Sequence, residues 1–341
     1  MLKGNEKMDY ATLRLPLTLQ EYTWRPVTRE DAIALNALLL AAEAVDRRGW
    51  VDTLEDRERD FTDPETNPAT DSLAVFTPAG QLVGYGWIFT PLPTAKLSFS
   101  FMEGTVHPAF RRRGLSTFIL KWLVQRGSEI QSRAAGTQHR LLRMSIPDFL
   151  PDTIKLYEQH GFEPARYFYR MRRDLSLAIP EVQLPANLQL IGWNPELDEA
   201  ARQTVNEAFE DHWGSIPTNS EHWKMWVTEH EYFHPELSFM VTDGNELVGV
   251  SINKIRAAEN KVVGIKEGWI QTLGVRRAWR RQGIAIALIS TSMQAFKAAG
   301  QEYAGLTVDT DNFTGALRLY ERLGFRDIAR IISFAKTINP E

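Results

Sequence analysis

The chain has 341 residues, of which 43% are hydrophobic and 24% charged, and a formal net charge of −4. That length is ample for two domains with real cores, and that balance belongs to a globular protein with no general attraction for nucleic acid or a lipid surface. The absence of cysteine excludes disulfides, thiolate metal ligands and cysteine nucleophiles; the first residues lack the apolar centre of a signal peptide and no run reaches spanning length, so the expectation is a cytoplasmic protein with no membrane partner.

In chain order, residues 1–20 read as an irregular lead-in. A short strand over 22–27 precedes a helix that starts at Thr28, with Asp31 in the capping-box place and an apolar stripe of Ile33, Leu35, Leu38, Leu39 and Ala42. Residues 51–61 are a second, charged helical stretch, followed by a Pro/Thr/Asn-rich loop to Asp71. Strands over 73–77 and 81–90 form a hairpin about Pro78-Ala79-Gly80, and residues 97–106 are a fourth strand. A basic turn, Arg111 to Ser116, opens a helix; a strand over 140–146 and a helix ending in Tyr157-Glu158-Gln159-His160-Gly161-Phe162 follow. Residues 162–175 alternate aromatic and basic side chains, as closing strands do.

Composition then shifts. Ser176 to Asn187 holds two prolines and no helical period, which marks a linker. From Leu188 the plan restarts: a strand, a helix over 195–209, a Trp/His-rich segment over 210–236, a hairpin over 238–242 and 246–255, and the apolar strand Trp269 to Val275. A basic turn, Arg276 to Arg281, leads into a helix through Ala299; residues 303–309, 312–323 and 325–336 complete the second copy. The domains expected are therefore a lead-in at 1–20, one at 21–175, a linker at 176–187 and one at 188–341.

Both copies carry the same strand, basic loop and helix. A helix start leaves backbone N–H groups without partners and adds partial positive charge. A glycine there admits an anion close to the backbone, and arginine supplies forked donors. This favours a phosphate-bearing ligand over the plainer reading, a strand–helix turn with a solvated basic edge, because the arrangement occurs twice at a spacing of one whole domain.

These residues resemble the GNAT superfamily of acyl-coenzyme A-dependent N-acetyltransferases, whose mark after the fourth strand is Arg/Gln-x-x-Gly-x-Gly/Ala. Arg280-x-x-Gly283-x-Ala285 fits it, and Arg111-x-x-Gly114-x-Ser116 fits with a small polar residue in the last place. The family's second mark, Tyr followed by Gly-Phe, occurs at Tyr157…Gly161-Phe162 and Tyr320…Gly324-Phe325. The resemblance covers nearly the whole chain, and the pairing is similar to the mycothiol synthase-like two-domain group within that family. It implies an α/β fold of two tandem domains, each a mixed curved sheet flanked by helices.

The resemblance also implies acetyl-CoA as co-substrate, held without a metal. Backbone groups of Leu273 and Val275 would hold pantetheine, and Arg280, Arg281, Gln282, Gly283, Ile284 and Ala285 the pyrophosphate. Val106, Arg111, Arg112, Arg113, Gly114, Leu115 and Ser116 are the first-domain counterparts. Tyr320 stands at the general acid's place, with ring packing as the plainer role, and Asn312 at a pantetheine contact that doubles as a helix N-cap. Tyr157 matches Tyr320, but Phe149 stands where Asn312 has its counterpart. Glu103 is the first domain's base, or else a solvated strand residue; Thr272 occupies the corresponding place in the second, where Glu267, Asp211 and His212 compete for the role. The implied activity is acetyl transfer to a small-molecule or peptide amine, with the second domain catalytic and the first either a second centre or a degenerate partner. The alternative is a non-enzymatic coenzyme A sensor or scaffold. The expected form is a monomer or homodimer with no nucleic-acid partner.

One rival motif is His230-Glu231-Tyr232-Phe233-His234, which has the H-E-x-x-H spacing of zinc peptidases. That chemistry needs both histidines on one helical face, and Pro235 biases His234 away from helix. Triphosphate-binding and dinucleotide-binding glycine motifs are absent.

Overall fold

The structure, a computed structural model, describes residues 13–50, 53–134, 136–312 and 315–339. Most of the expected lead-in (1–12), the first two residues of the expected helix at 51–61, residues 313–314 of that expected at 312–323, and the final two residues lie outside this range. The chain divides into two compact units, residues 1–165 with 333–341, and residues 166–332.

The first unit contains β1 (Thr23–Arg25), α1 (Ala32–Asp46), α2 (Leu54–Asp60), α3 (Pro68–Asp71), β2 (Ser72–Phe76), β3 (Leu82–Phe89), β4 (Leu97–Val106), α4 (Leu115–Ser132), β5 (His139–Pro147) and α5 (Pro151–Gln159). Strands β1 to β4 pair antiparallel in order, and β5 joins β4 in parallel. The entry to α1 is a full capping box: Thr28 N–H donates to Asp31 at 2.8 Å, and Arg25 pairs with both carboxylate oxygens of Asp31 at 2.6 and 2.7 Å. Leu35, Leu38 and Leu39 of α1 pack on Ala74, Tyr85 and Trp87 of the sheet. Ile33, expected in that stripe, is 72% exposed. Two residues before Leu35 is about 200° around a helix, on the opposite face.

The second unit repeats the plan. It takes in β6 (Glu163–Asp174) from Arg166 onward, then β7 (Gln189–Gly192), α6 (Asp198–Phe209), α7 (Ser220–Trp223), β8 (Phe239–Thr242), β9 (Leu247–Ile255), α8 (Ala257–Val263), β10 (Glu267–Val275), α9 (Ile284–Ala298), β11 (Tyr303–Asp309) and α10 (Ala316–Arg322). Strands β7 to β10 pair antiparallel in order, β11 lies parallel to β10, and β6 pairs antiparallel with β11 from Asp174↔Tyr303 to Phe168↔Asp309. Glycines let α9 lie close on the sheet: a Cβ at Gly268 would stand 2.4 Å from the Phe296 ring.

The units therefore do not follow the chain read in two halves. The strand after α5 belongs largely to the second unit, while the end of β12 (Arg326–Thr337) belongs to the first. There Phe334 is fully buried, edge-on to Tyr157 at 5.6 Å; Lys336 Nζ donates to His160 O at 2.8 Å, and Ile338 N–H to Arg140 O at 2.9 Å. Residues 176–187 form neither helix nor strand. Among the described residues no helix is long and apolar enough to cross a membrane.

Candidate active site

Each unit has a pair of parallel strands that part. Pairing of β4 with β5 runs from Leu97↔His139 to Phe101↔Arg143, and β4 continues to Val106 without β5. Pairing of β10 with β11 runs from Glu267↔Tyr303 to Trp269↔Gly305, and β10 continues to Val275. Separated strands turn N–H and C=O groups into the gap, and such groups need partners. An extended ligand carrying amides satisfies them as a further strand would. In the first unit the gap opens into a cavity of about 500 Å³, bounded by Gly104 to Val106, Met144, Ile146 and Tyr157, with Arg112 and Ser116 at its loop end.

The two basic loops have one backbone conformation. Arg111 (φ −66°, ψ 162°) matches Arg280 (φ −69°, ψ 158°); Arg112 and Arg281 are left-handed at φ 62° and 64°; Gly114 and Gly283 are left-handed at φ 87° and 83°. A left-handed non-glycine residue costs on the order of 1 kcal/mol or more, so its appearance at the same place twice points to use rather than accident. The result is a concave run of N–H groups at the start of α4 and of α9, the arrangement that binds anions. Neither helix carries an acidic residue in its first turn. A Cβ on Gly114 would meet nothing within 4 Å, and on Gly283 only Val182 at 3.7 Å, so open space lies over both loops.

The motif arginines divide into two kinds. Arg111 Nε donates to Val106 O at 3.1 Å, and its two terminal nitrogens pair with Asp46, the last residue of α1, at 2.6 and 2.7 Å. Arg280 does the same work: Nε donates to Val275 O at 3.2 Å and Nη2 to Ala208 O, near the end of α6, at 3.1 Å. Both bind the strand end to the first helix of their unit, a role that the motif spacing does not disclose. Arg112, Arg113, Arg281 and Gln282 are exposed, whereas Leu115 and Ile284 anchor their helix starts in the core. Ser116 and Ala285 follow on the first turn, and Leu273 and Val275 are half-buried on the edge of the gap.

Tyr320 on α10 is buried, edge-on to Phe325 at 5.9 Å, and burial pushes its phenol up to about 12. Among the described residues nothing hydrogen-bonds its hydroxyl. Tyr157 on α5 is its counterpart; burial raises its phenol above the ordinary range, with Arg48 opposing and Glu103 adding to the rise. Asn312, the expected N-cap, does not cap α10: the cap is Gly315 at φ 76°, whose N–H donates to Asn312 O at 3.2 Å. Phe149 is 47% exposed.

The carboxylates are less alike. Glu103 Oε1 accepts from Tyr85 OH at 3.0 Å and Arg57 Nη1 at 3.1 Å. Glu267 is buried and held by Arg172 Nε at 2.6 Å and Arg170 Nη2 at 3.1 Å; Asp211 is tied to Arg277. Strand β4 keeps an unbroken register with β3, but β10 slips against β9 between Ile270 and Thr272, which leaves Gln271 as a bulge in the lone stretch of the strand. Such a bulge re-aims backbone groups and side chains, and is common beside active sites.

In the Trp/His-rich segment, Trp223 belongs to the core and donates to Asp198 at 2.8 Å. His230 and His234 stand on a turn and its exit rather than on one helical face, and His234 pairs with Glu236 at 2.8 Å. The zinc-peptidase spacing thus lacks the helix that its chemistry requires.

Parted strands with a nest-like loop at the helix start, twice over, define a class of proteins that bind a phosphorylated, amide-containing co-substrate. A family model described as the acetyltransferase (GNAT) family matches residues 199–325. The chain is 31% identical over 224 residues, 65% of its length and 71% of the relative's, to a protein of Thermobispora bispora called mycothiol acetyltransferase. It is 27% identical to a protein of the same name from Geodermatophilus obscurus, over 92% of this chain and 97% of that one. Among solved structures, a GCN5-related N-acetyltransferase from Sphaerobacter thermophilus superposes with a TM-score of 0.71 at 28% identity, over 96% of this chain and 98% of that one. A tandem GNAT protein from the clavulanic acid biosynthesis pathway has a TM-score of 0.69 at 15% identity, over 94% of this chain and all of that one, a likeness of fold. The chain belongs to the GNAT acetyltransferase family and is an N-acetyltransferase, with acetyl-CoA as the family's co-substrate.

Proposed function

We propose that the second unit transfers the acetyl group of acetyl-CoA to the primary amine of a small molecule, of the kind handled by the mycothiol acetyltransferases it resembles, and that the first unit binds the coenzyme without turnover. The observation that carries the division is the bulge at Gln271, which β10 has and β4 lacks.

In this reading the N–H groups of Arg281 to Ala285 receive the pyrophosphate, Arg281 and Gln282 face it, and Arg280 fixes the loop. Leu273, Val275 and Asn312 hold pantetheine. The amine attacks the thioester carbon, a C–N bond forms, and donors of the bulged strand meet the developing oxyanion. The C–S bond then breaks, the thiolate takes the proton of Tyr320, and the proton lost by the acylated nitrogen restores the phenol. The buried phenol keeps that proton at neutral pH, and among the described residues no acceptor competes for it. In the first unit, Val106 and Arg111 to Ser116 line the equivalent cradle. Glu103 and Tyr157 stand at the base and acid places, but Glu103 is already engaged by Arg57 and Tyr85.

Steady-state thiol release from acetyl-CoA over a panel of primary amines tests the proposal. Amine-dependent release that Gly283→Val abolishes and Gly114→Val spares is expected; tight coenzyme binding with no release on any amine would instead favour the sensor.

A further inference from the structure

Glu267 and Asp211 are each spent in an ion pair, which leaves the amine's proton acceptor in the second unit to be found. Just beyond the end of α6, the turn carrying His212 and Trp213 lies against the mouth of the gap. Helix α6 reaches β10 where a Cβ on Gly274 would stand 3.3 Å from Ala208 Cβ, and Arg280 fastens the Ala208 carbonyl. His212 then folds back, its N–H donating to Phe209 O at 2.9 Å and its ring edge-on to Phe209 at 4.5 Å. The next residue, Trp213, lies 5.9 Å beneath the Arg166 guanidinium, which pairs with Asp309 at 3.7 Å and Asp311 at 2.9 Å. Asp309 is the last residue of β11, well past the point where β10 and β11 part. The turn that carries His212 thus runs from the end of β10, to which Arg280 fastens Ala208, to the end of β11, where Arg166 lies over Trp213 and pairs with Asp309.

We propose that His212 is the general base of the second unit, and that Asp309, at the end of β11, is a positioning residue for it. This rests on the reading of the second unit as the catalytic one. The amine in its ammonium form gives a proton to the imidazole; the freed lone pair forms the C–N bond as the C–S bond breaks; the thiolate takes its proton from Tyr320, the second proton lost by the acylated nitrogen restores the tyrosinate, and the imidazolium returns its own to solvent. No other reactant is needed.

The charges around the ring fit this use. His212 is half-buried, and burial together with Arg280 holds its imidazole below the ordinary histidine value while Asp309 opposes them. The remaining charged groups nearby are committed: Asp211 to Arg277, and Arg166 to Asp309 and Asp311, while Glu207 acts on Arg280. A ring neutral at pH 7 is ready to accept a proton.

The test is the pH profile of kcat/KM for thiol release, with the best amine of the panel, for the full chain and four variants. Wild type should lose activity toward acid with a limb below about pH 6.5, the ordinary histidine value. His212→Gln should lose on the order of 10²-fold and its acid limb, with coenzyme affinity by calorimetry unchanged. Asp309→Asn removes the charge that raises the imidazole's pKa, so the limb should move to lower pH; a merely structural role would not shift it. If Gly283→Val abolishes release but His212→Gln keeps both rate and limb, this proposal falls and the catalytic unit stands. Should Gly114→Val abolish release while Gly283→Val does not, the underlying reading falls. With no release on any amine, the imidazole titration followed by NMR still decides, because a His212 charged at pH 7 cannot be the base.

Discussion

At the scale of single residues, the separation of acid from packing role rests on one oxygen atom. Tyr320→Phe keeps the ring that packs on Phe325 and deletes only the hydroxyl, so stability should change little. If the phenol protonates the leaving thiolate, kcat and kcat/KM should fall together, because the interaction exists only as the thiolate departs. A thiolate leaves fairly well unaided, so about 10²-fold is expected, the low end for general acid catalysis. Tyr157→Phe is the matched control, and the proposed division of labour requires it to leave thiol release near wild type. A large loss in Tyr157→Phe with none in Tyr320→Phe would reverse the assignment of units. Both tyrosines were legible from Tyr…Gly-Phe. The role of Arg111 and Arg280 was not: a signature gives residue type and spacing, whereas the carbonyls they bind, Val106, Val275 and Ala208, come from the strand end and, for Ala208, from a helix some seventy residues earlier.

At the scale of elements, the loop–helix junctions were the most readable part of the chain. Their geometry is local: a left-handed arginine, a left-handed glycine and a buried apolar residue fix the turn within a few positions. Gly283→Val should therefore strain the loop and fill the space over it at once. Coenzyme affinity should drop by at least tenfold by calorimetry, with the thermal midpoint of the free protein moving far less. Equal losses in both would mean that Gly283 serves folding and not binding. The bulge at Gln271 was not readable, because its register is set by the pairing of β9 with β10, and β9 is buried on both faces so that no alternation marks the slip. The same applies to Asn312: an asparagine ahead of a helix pattern suggests a cap, but Gly315 caps the helix, its N–H donating to the Asn312 carbonyl. A glycine inside a strand has the opposite meaning. Gly268→Ala places a methyl against the Phe296 ring and should destabilise the second unit by about 1–3 kcal/mol, read as a lowered denaturant midpoint; an unchanged midpoint would show that α9 shifts freely.

At the scale of the whole molecule, the repeat in the sequence and the units in space differ, and the difference lies in the closing strands. Alternation along residues 162–175 and 325–336 predicts strands but cannot say which neighbours they take, since any apolar sheet edge accepts such a pattern. The strand after α5 pairs with β11, and the last residues of the chain complete the first unit. The consequence is a long-range dependence: the first unit, built mainly from residues before 166, needs residues 333–339 to close. Phe334 carries most of that closure, being fully buried against Tyr157. Phe334→Ala removes a ring from a packed site and should cost about 3–5 kcal/mol. For a unit of this size that is a fall in melting temperature on the order of 10 °C. The sharper test is where the loss appears. Hydrogen exchange should quicken at the amides of β5 and α5, far away in sequence, while those of β8 and β9 keep their protection. Quickening confined to β8 and β9, or none anywhere, would mean that the chain's last strand closes the second unit after all and that the two repeats fold as sequential halves.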